Sequence, residues 1–234
     1  MRQTAEVIRA RFQEIERQRS LLNTAARIKT VGGEFSYYQA DCSNKEDLIR
    51  IIESIHKEAG PIHGLIHGAG ITADSRLAEK TLDSFRRVVH TKARSSFQLY
   101  SLLKDDPLEF VVFLSSLSSY AGRAGQTDYA AANEALNALA HVWNRQAPYP
   151  VKSLLWSVWT ETGLVVEGMK REMERLGLGR ISTADGIRLS HEEIFGAPKV
   201  EDWVLFTPIS TLKHATRHTV QPFYHYEHGA FQSR

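Results

Sequence analysis

Cysteine is nearly absent from the 234 residues: Cys42 stands alone, which rules out a disulfide within the chain. Long apolar runs are absent too. No stretch approaches the ~18 residues that a membrane-crossing helix needs. The opening "MRQTAEVIRARF" alternates charge with apolar residues and lacks the uninterrupted apolar centre of a signal peptide. Neither sign of charge is in excess: 29 Lys and Arg face 27 Asp and Glu, so bulk charge points to neither nucleic acid nor a membrane surface. Repeats, low-complexity tracts and linkers are missing before residue 210. These absences leave one sizeable core in a reducing, cytoplasmic setting as the expectation, with a domain over 1–210 and a tail over 211–234.

What is present is an alternation of helix-like and strand-like segments. Ile8, Phe12, Ile15, Leu22 and Ala26 fall at helical spacing, and Gly32 and Gly33 end that helix. "EFSYYQA" alternates as a strand does. "SNKEDLIRIIESIHKEAGP" reads as a helix opened by a Ser-x-x-Glu capping box at Ser43, with Leu48, Ile51, Ile52 and Ile55 on its buried face. "IHGLIH" predicts a short buried strand, "TLDSFRRVVHTKARSSFQLYSLL" a long helix, and "LEFVVFL" the plainest strand of the chain. A helix over about 128–146, a strand at "VKSLLWSVW", helices near 165–175 and 183–195, and a last strand at "DWVLFTPI" follow. Strands alternating with helices imply βαβ units and a mostly parallel sheet. In the tail, His214 and His218 share a helical spacing, but no carboxylate or cysteine completes a zinc set, so no metal is expected.

Ligands of α/β sheets bind where strands end, and Ser115 and Ser116 leave "LEFVVFL". Tyr129 and Asn133 are four apart on the next helix, on one face, with small alanines between them. Lys92 falls on the apolar stripe Phe85, Val88, Leu99 and Leu103 of the long helix, where a surface lysine does not belong. Singly, each has an ordinary explanation: a turn cap, a packed tyrosine, a snorkelling lysine. Together they fit one chemistry. A tyrosine hydroxyl can protonate a carbonyl oxygen as hydride reaches carbon, a serine can hold that oxygen, and an ammonium is expected to draw the phenol pKa down from about 10.

This pattern resembles the short-chain dehydrogenase/reductase superfamily, and within it the ketoreductase domains of polyketide and polyunsaturated-fatty-acid synthases. The carrying residues are "FLSS", "GRAGQTDY" and "AAAN", with asparagine, Asn133, at the place where general short-chain reductases have lysine, and Lys92 on the preceding helix. "GLIHGAGITADSRL" looks like the family's His-x-Ala-Gly segment and "QADCSN" like its Asp-Val pair. The resemblance implies a Rossmann-like, doubly wound, mostly parallel α/β sheet. It implies NADPH-dependent reduction of a β-ketoacyl thioester, carried by an acyl carrier protein, to the 3-hydroxyacyl thioester. Lys92, Ser116, Tyr129 and Asn133 are then the catalytic set, with Asn133 orienting Lys92 or a relay water. Asp41, Cys42, His67, Ala69 and Gly70 join Lys92 and Tyr129 as cofactor contacts, with Asp41 reaching the adenine.

Departures from the family pattern are informative. Gly-x-Gly-x-x-Gly, which cradles the cofactor pyrophosphate at a helix N-terminus, occurs nowhere in the chain. Set beside the family, the sequence begins at the helix before the third strand, so the expected sheet lacks its first two strands. The B-type marker Leu-Asp-Asp falls on Thr72, Ala73 and Asp74 and keeps only its last aspartate; the A-type tryptophan position is Ala121. Together these lean toward a D-configured product. Ser157 and Val158 replace the Gly-Pro that flanks the nicotinamide in the family's Asn-Trp-Gly-Pro-Trp. Two other readings stay open. The chain could be an inactive relic or one half of a split ketoreductase whose partner chain supplies the glycine-rich unit, or it could be a short-chain dehydrogenase for a free alcohol or sugar.

Overall fold

A computed structural model describes residues 2–161, 167–175, 177, 179–196, 202–208, 225–227 and 230–232. The chain forms two compact units, residues 1–39 and 40–234. In the first, helix α1 (Arg2–Thr30) places Arg27 and Lys29 in its last turn, where a helix favours positive charge. Gly32, at φ +80°, ends it, and Gly33 N donates to Ile28 O at 3.0 Å. The segment 34–40, expected as a strand, forms no regular element. Alternation assigns side chains to two faces but does not make a strand, which needs a neighbouring ladder. No described strand provides one here.

The second unit is built around β1 (Gly64–His67), β2 (Phe110–Ser116), β3 (Val151–Trp156) and β4 (Trp203–Phe206), all parallel and in that sheet order. Between them run α3 (Leu82–Val89), a π turn at His90–Arg94, α4 (Ser95–Leu102), α5 (Leu117–Ala121), α6 (Thr127–Gln146), α7 (Glu167–Arg175) and α8 (Thr183–His191). Ahead of β1 lies α2 (Lys45–Ala59). Its cap differs from expectation by one residue. Asn44, not Ser43, accepts the amides of Glu46 and Asp47 at 2.9 and 3.3 Å, while Ser43 donates to Asp41.

Strands buried on both faces read as near-continuous apolar runs, and β3 does so, with all six residues buried. Alternate residues of β2 feed two cores. Val111 and Phe113 pack with Ile52, Leu103, Leu136 and Trp143, whereas Val112 joins Leu154, Trp156, Leu189 and Phe206. This is a Rossmann-like α/β arrangement with apolar cores on both faces of the sheet. β1 is less buried than expected: among the described residues it pairs only with β2, and Ile66 is 55% exposed. A short antiparallel hairpin, β5 (His225–Glu227) and β6 (Ala230–Gln232), lies within the tail segment. His214 and His218 fall outside the described residues, and no described helix is long and apolar enough to cross a membrane.

Candidate active site

The site grows from the end of β2. Ser115 Oγ donates to the carbonyl of Asn133 at 3.3 Å, tying the strand to α6. Ser116 is the N-cap of α5, and its Oγ accepts from both the amide and the hydroxyl of Ser118, at 3.2 and 2.9 Å. Its accepting capacity is thereby filled, and its own proton is the one available to the Tyr129 hydroxyl beside it. The turn-cap explanation and a donor role are therefore compatible.

Lys92 is held by an irregularity in the long helix. Ser95 N bonds both His90 O and Lys92 O, opening one π turn at His90–Arg94, a feature that recurs at functional sites. Lys92 does not snorkel; it is 4% exposed. Its Nζ donates to Leu114 O at 2.7 Å and to Ala69 O at 3.5 Å, and lies 5.9 Å from the centroid of the Tyr129 ring. Burial draws its pKa from 10.5 to about 8.

Tyr129 differs from expectation in direction. Burial pushes its pKa up, hydrogen bonding from Asn133 and Ser116 pulls against that, and the Asp74 charge adds to the rise. The reason is placement: the Lys92 ammonium faces the ring and spends its hydrogen bonds on backbone carbonyls. The phenol therefore stays protonated at neutral pH, the form a proton donor needs. Asn133 Nδ2 donates to Tyr129 O at 2.7 Å, and its Oδ1 is buried without a partner among the described residues.

The four expected residues thus meet at the carboxyl end of β2. Of the other expected contacts, Ala69 joins them through Lys92, and Gly70 follows it directly. His67 is buried at the end of β1, with Nε2 2.7 Å from Ser95 Oγ and Nδ1 unpartnered among the described residues. Its pKa falls to about 4 through burial and the nearby Lys92 charge. Asp41 and Cys42 lie in the turn before α2, where Asp41 Oδ1 accepts Ser43 N and Oγ at 2.9 and 2.7 Å. Burial raises the Cys42 thiol pKa. After β3, Trp156 stacks on Phe206 with ring centroids 4.4 Å apart, and Ser157 Oγ is buried without a partner among the described residues.

Three residues beside the site were not singled out by sequence reasoning. Lys80 and Asp128 form a buried ion pair at 2.8 Å, and Gln126 Nε2 donates to both carboxylate oxygens of Asp74 at 3.2 and 3.0 Å. The hints are that Gln126 and Asp128 both lie within "GRAGQTDY", Asp128 directly before Tyr129; nothing in the sequence pairs them with the loop at 73–80.

The family model of the KR domain matches residues 7–161. The chain belongs to the ketoreductase (KR) domain family. This KR domain is 33% identical over 164 residues to polyketide synthase ThaG of Burkholderia thailandensis, covering 70% of this chain and 3% of that protein. It is 27% identical over 184 residues to a polyunsaturated fatty acid synthase polypeptide of a Thraustochytrium species, covering 78% of this chain and 6% of that one. Among solved structures, a ketoreductase domain from the bacillaene assembly line superposes with a TM-score of 0.71 at 28% identity, over 82% of this chain and 48% of the other. The chain therefore spans a small fraction of the curated synthases it matches.

Proposed function

We propose that this KR domain reduces the ketone of a β-ketoacyl thioester, presented by an acyl carrier protein, to the 3-hydroxyacyl thioester in polyketide or fatty-acid assembly. The observation that carries the reading is the convergence of Lys92, Ser116, Tyr129 and Asn133 at one strand end. NADPH, when bound, supplies the hydride. Ser116, hydrogen-bonded with Tyr129 at rest, turns its proton to the ketone oxygen as a hydrogen bond. Tyr129 transfers its phenolic proton to that oxygen as the C=O π bond opens and a C–H bond forms. The Lys92 ammonium over the ring compensates the charge left on the phenolate, and Asn133 fixes the α6 backbone at Tyr129.

Two features support a nucleotide at this end of the sheet: a buried ammonium bonded, among the described residues, only to carbonyls, and the acceptor Asn133 Oδ1, unpartnered among them, which suits a hydroxyl donor or a relay water. Lys92, Tyr129, Ala69, Gly70 and His67 would hold the nicotinamide and its ribose, and Asp41 and Cys42 the adenine. Asp74, the retained marker residue, supports a D-configured product. Turnover of a carrier-bound β-ketoacyl thioester should exceed that of a free ketone or sugar at the same concentration. Equal or faster reaction of the free substrate would favour the free-alcohol dehydrogenase instead.

A second reading is favoured by β1, which has a ladder on one side only among the described residues, with Ile66 55% exposed. On this reading the pyrophosphate cradle, absent from these 234 residues, comes from a further polypeptide segment lying along that edge.

A further inference from the structure

The loop between β1 and α3 is tied to the start of α6 at three points. Lys80 Nζ lies 2.8 Å from Asp128 Oδ2 and donates to Ala73 O at 2.7 Å, bridging the loop's own bend to α6. Gln126 holds both oxygens of Asp74, and Ser75 N donates to Gly125 O at 3.1 Å. Gly125 takes φ +83° to make that turn. Asp128 has a second task, since its Oδ1 accepts the amide of Tyr129 at 2.9 Å. One carboxylate thus grips the loop with one oxygen and the Tyr129 backbone with the other.

Both side chains are essentially removed from water, at 2% and 1% exposure. A buried pair of this kind contributes little net stability compared with apolar residues of similar volume, because desolvation offsets the attraction. What it offers that apolar packing does not is a fixed direction and spacing. We propose that Lys80 and Asp128 are positioning residues, locking the 73–80 loop to the first turn of α6 so that Asp74 and the Tyr129 hydroxyl keep one spacing across the substrate's carbonyl. The idea rests on the reading of Tyr129 as the proton donor.

The test separates positioning from folding. Lys80→Met alone leaves the buried Asp128 carboxylate without its counter-charge and should lower Tm by about 10 °C. Lys80→Met combined with Asp128→Leu removes both charges and should return Tm to within a few degrees of the parent, about the effect of a tolerated core swap. In the full chain, unliganded, this double variant should exchange two amides at least about tenfold faster: that of Tyr129, which loses its acceptor, and that of Ser75, whose loop is no longer pinned beside Gly125 O. Lys80→Arg, which keeps the charge, should retain protection. With NADPH and carrier-bound substrate, in residues 1–234 joined to a segment bearing Gly-x-Gly-x-x-Gly, kcat of the double variant should fall about ten- to a hundredfold while KM changes less, the signature of misplacement. A stably folded double variant with parental amide protection and parental kcat would overturn the proposal. Lost protection alongside a fully active Tyr129→Phe variant would support the latch and refute the proton-donor reading instead.

Discussion

Lys92 is an ammonium kept almost wholly from water with two carbonyls and an aromatic face for company. Its folded pKa of about 8 lies below the ordinary 10.5, so the unfolded chain binds more protons between those values. Stability therefore rises with pH from about 8 toward 10.5, and the burden, about 3 kcal/mol, is carried in full below pH 8. Lys92→Met removes that burden and leaves Leu114 O without its donor, so it should gain about 2 kcal/mol at pH 7 and lose the pH slope above 8. Urea unfolding at pH 7 and 9.5 reads both. A loss of stability at pH 7 with the slope intact would contradict this placement of the charge. At this scale much was legible in the sequence. Lys92 on an apolar stripe and the Ser116, Tyr129, Asn133 spacing are local patterns. Lys80 with Asp128 and Lys152 with Glu193 were not, because their partners lie 48 and 41 residues away and no local period links them.

Elements show the same division between local and long-range information. β2 and β3 follow directly from their apolar runs, yet β3 conceals Lys152, 1% exposed and bonded to Glu193 at 2.8 Å in the turn after α8. The alternating segment 34–40 shows the converse, a strand pattern without a ladder. α8 meets the segment that follows β3 through Gly186. A Cβ there would lie 2.2 Å from the Trp159 ring, which packs edge-on against Trp156 with centroids 4.9 Å apart. Gly186→Ala should therefore cost about 1–3 kcal/mol in urea unfolding, by forcing Trp159 off its neighbour. At Gly196 an added carbon meets nothing within 4 Å, and Gly196→Ala should change stability by less than about 0.5 kcal/mol. Equal effects at the two positions would contradict the close approach of α8.

At the scale of the whole molecule, the four parallel strands among the described residues, with apolar cores on both faces, bring Lys92, Ser116, Tyr129 and Asn133 to one sheet end. No glycine-rich cradle occurs in these 234 residues, and β1 has a free edge among those described. NADPH fluorescence titration should accordingly show weak binding by the 234-residue chain. Binding should tighten at least about tenfold when a polypeptide bearing a strand followed by Gly-x-Gly-x-x-Gly is added. Tight binding by the chain alone would remove the need for that segment. The central claim, that Tyr129 protonates the ketone, is tested most directly by NADPH oxidation at 340 nm with a carrier-bound β-ketoacyl thioester, in a polypeptide joining residues 1–234 to the glycine-rich segment. Tyr129→Phe should lower turnover by at least about a hundredfold with the fold intact; turnover equal to that of the parent would contradict the account.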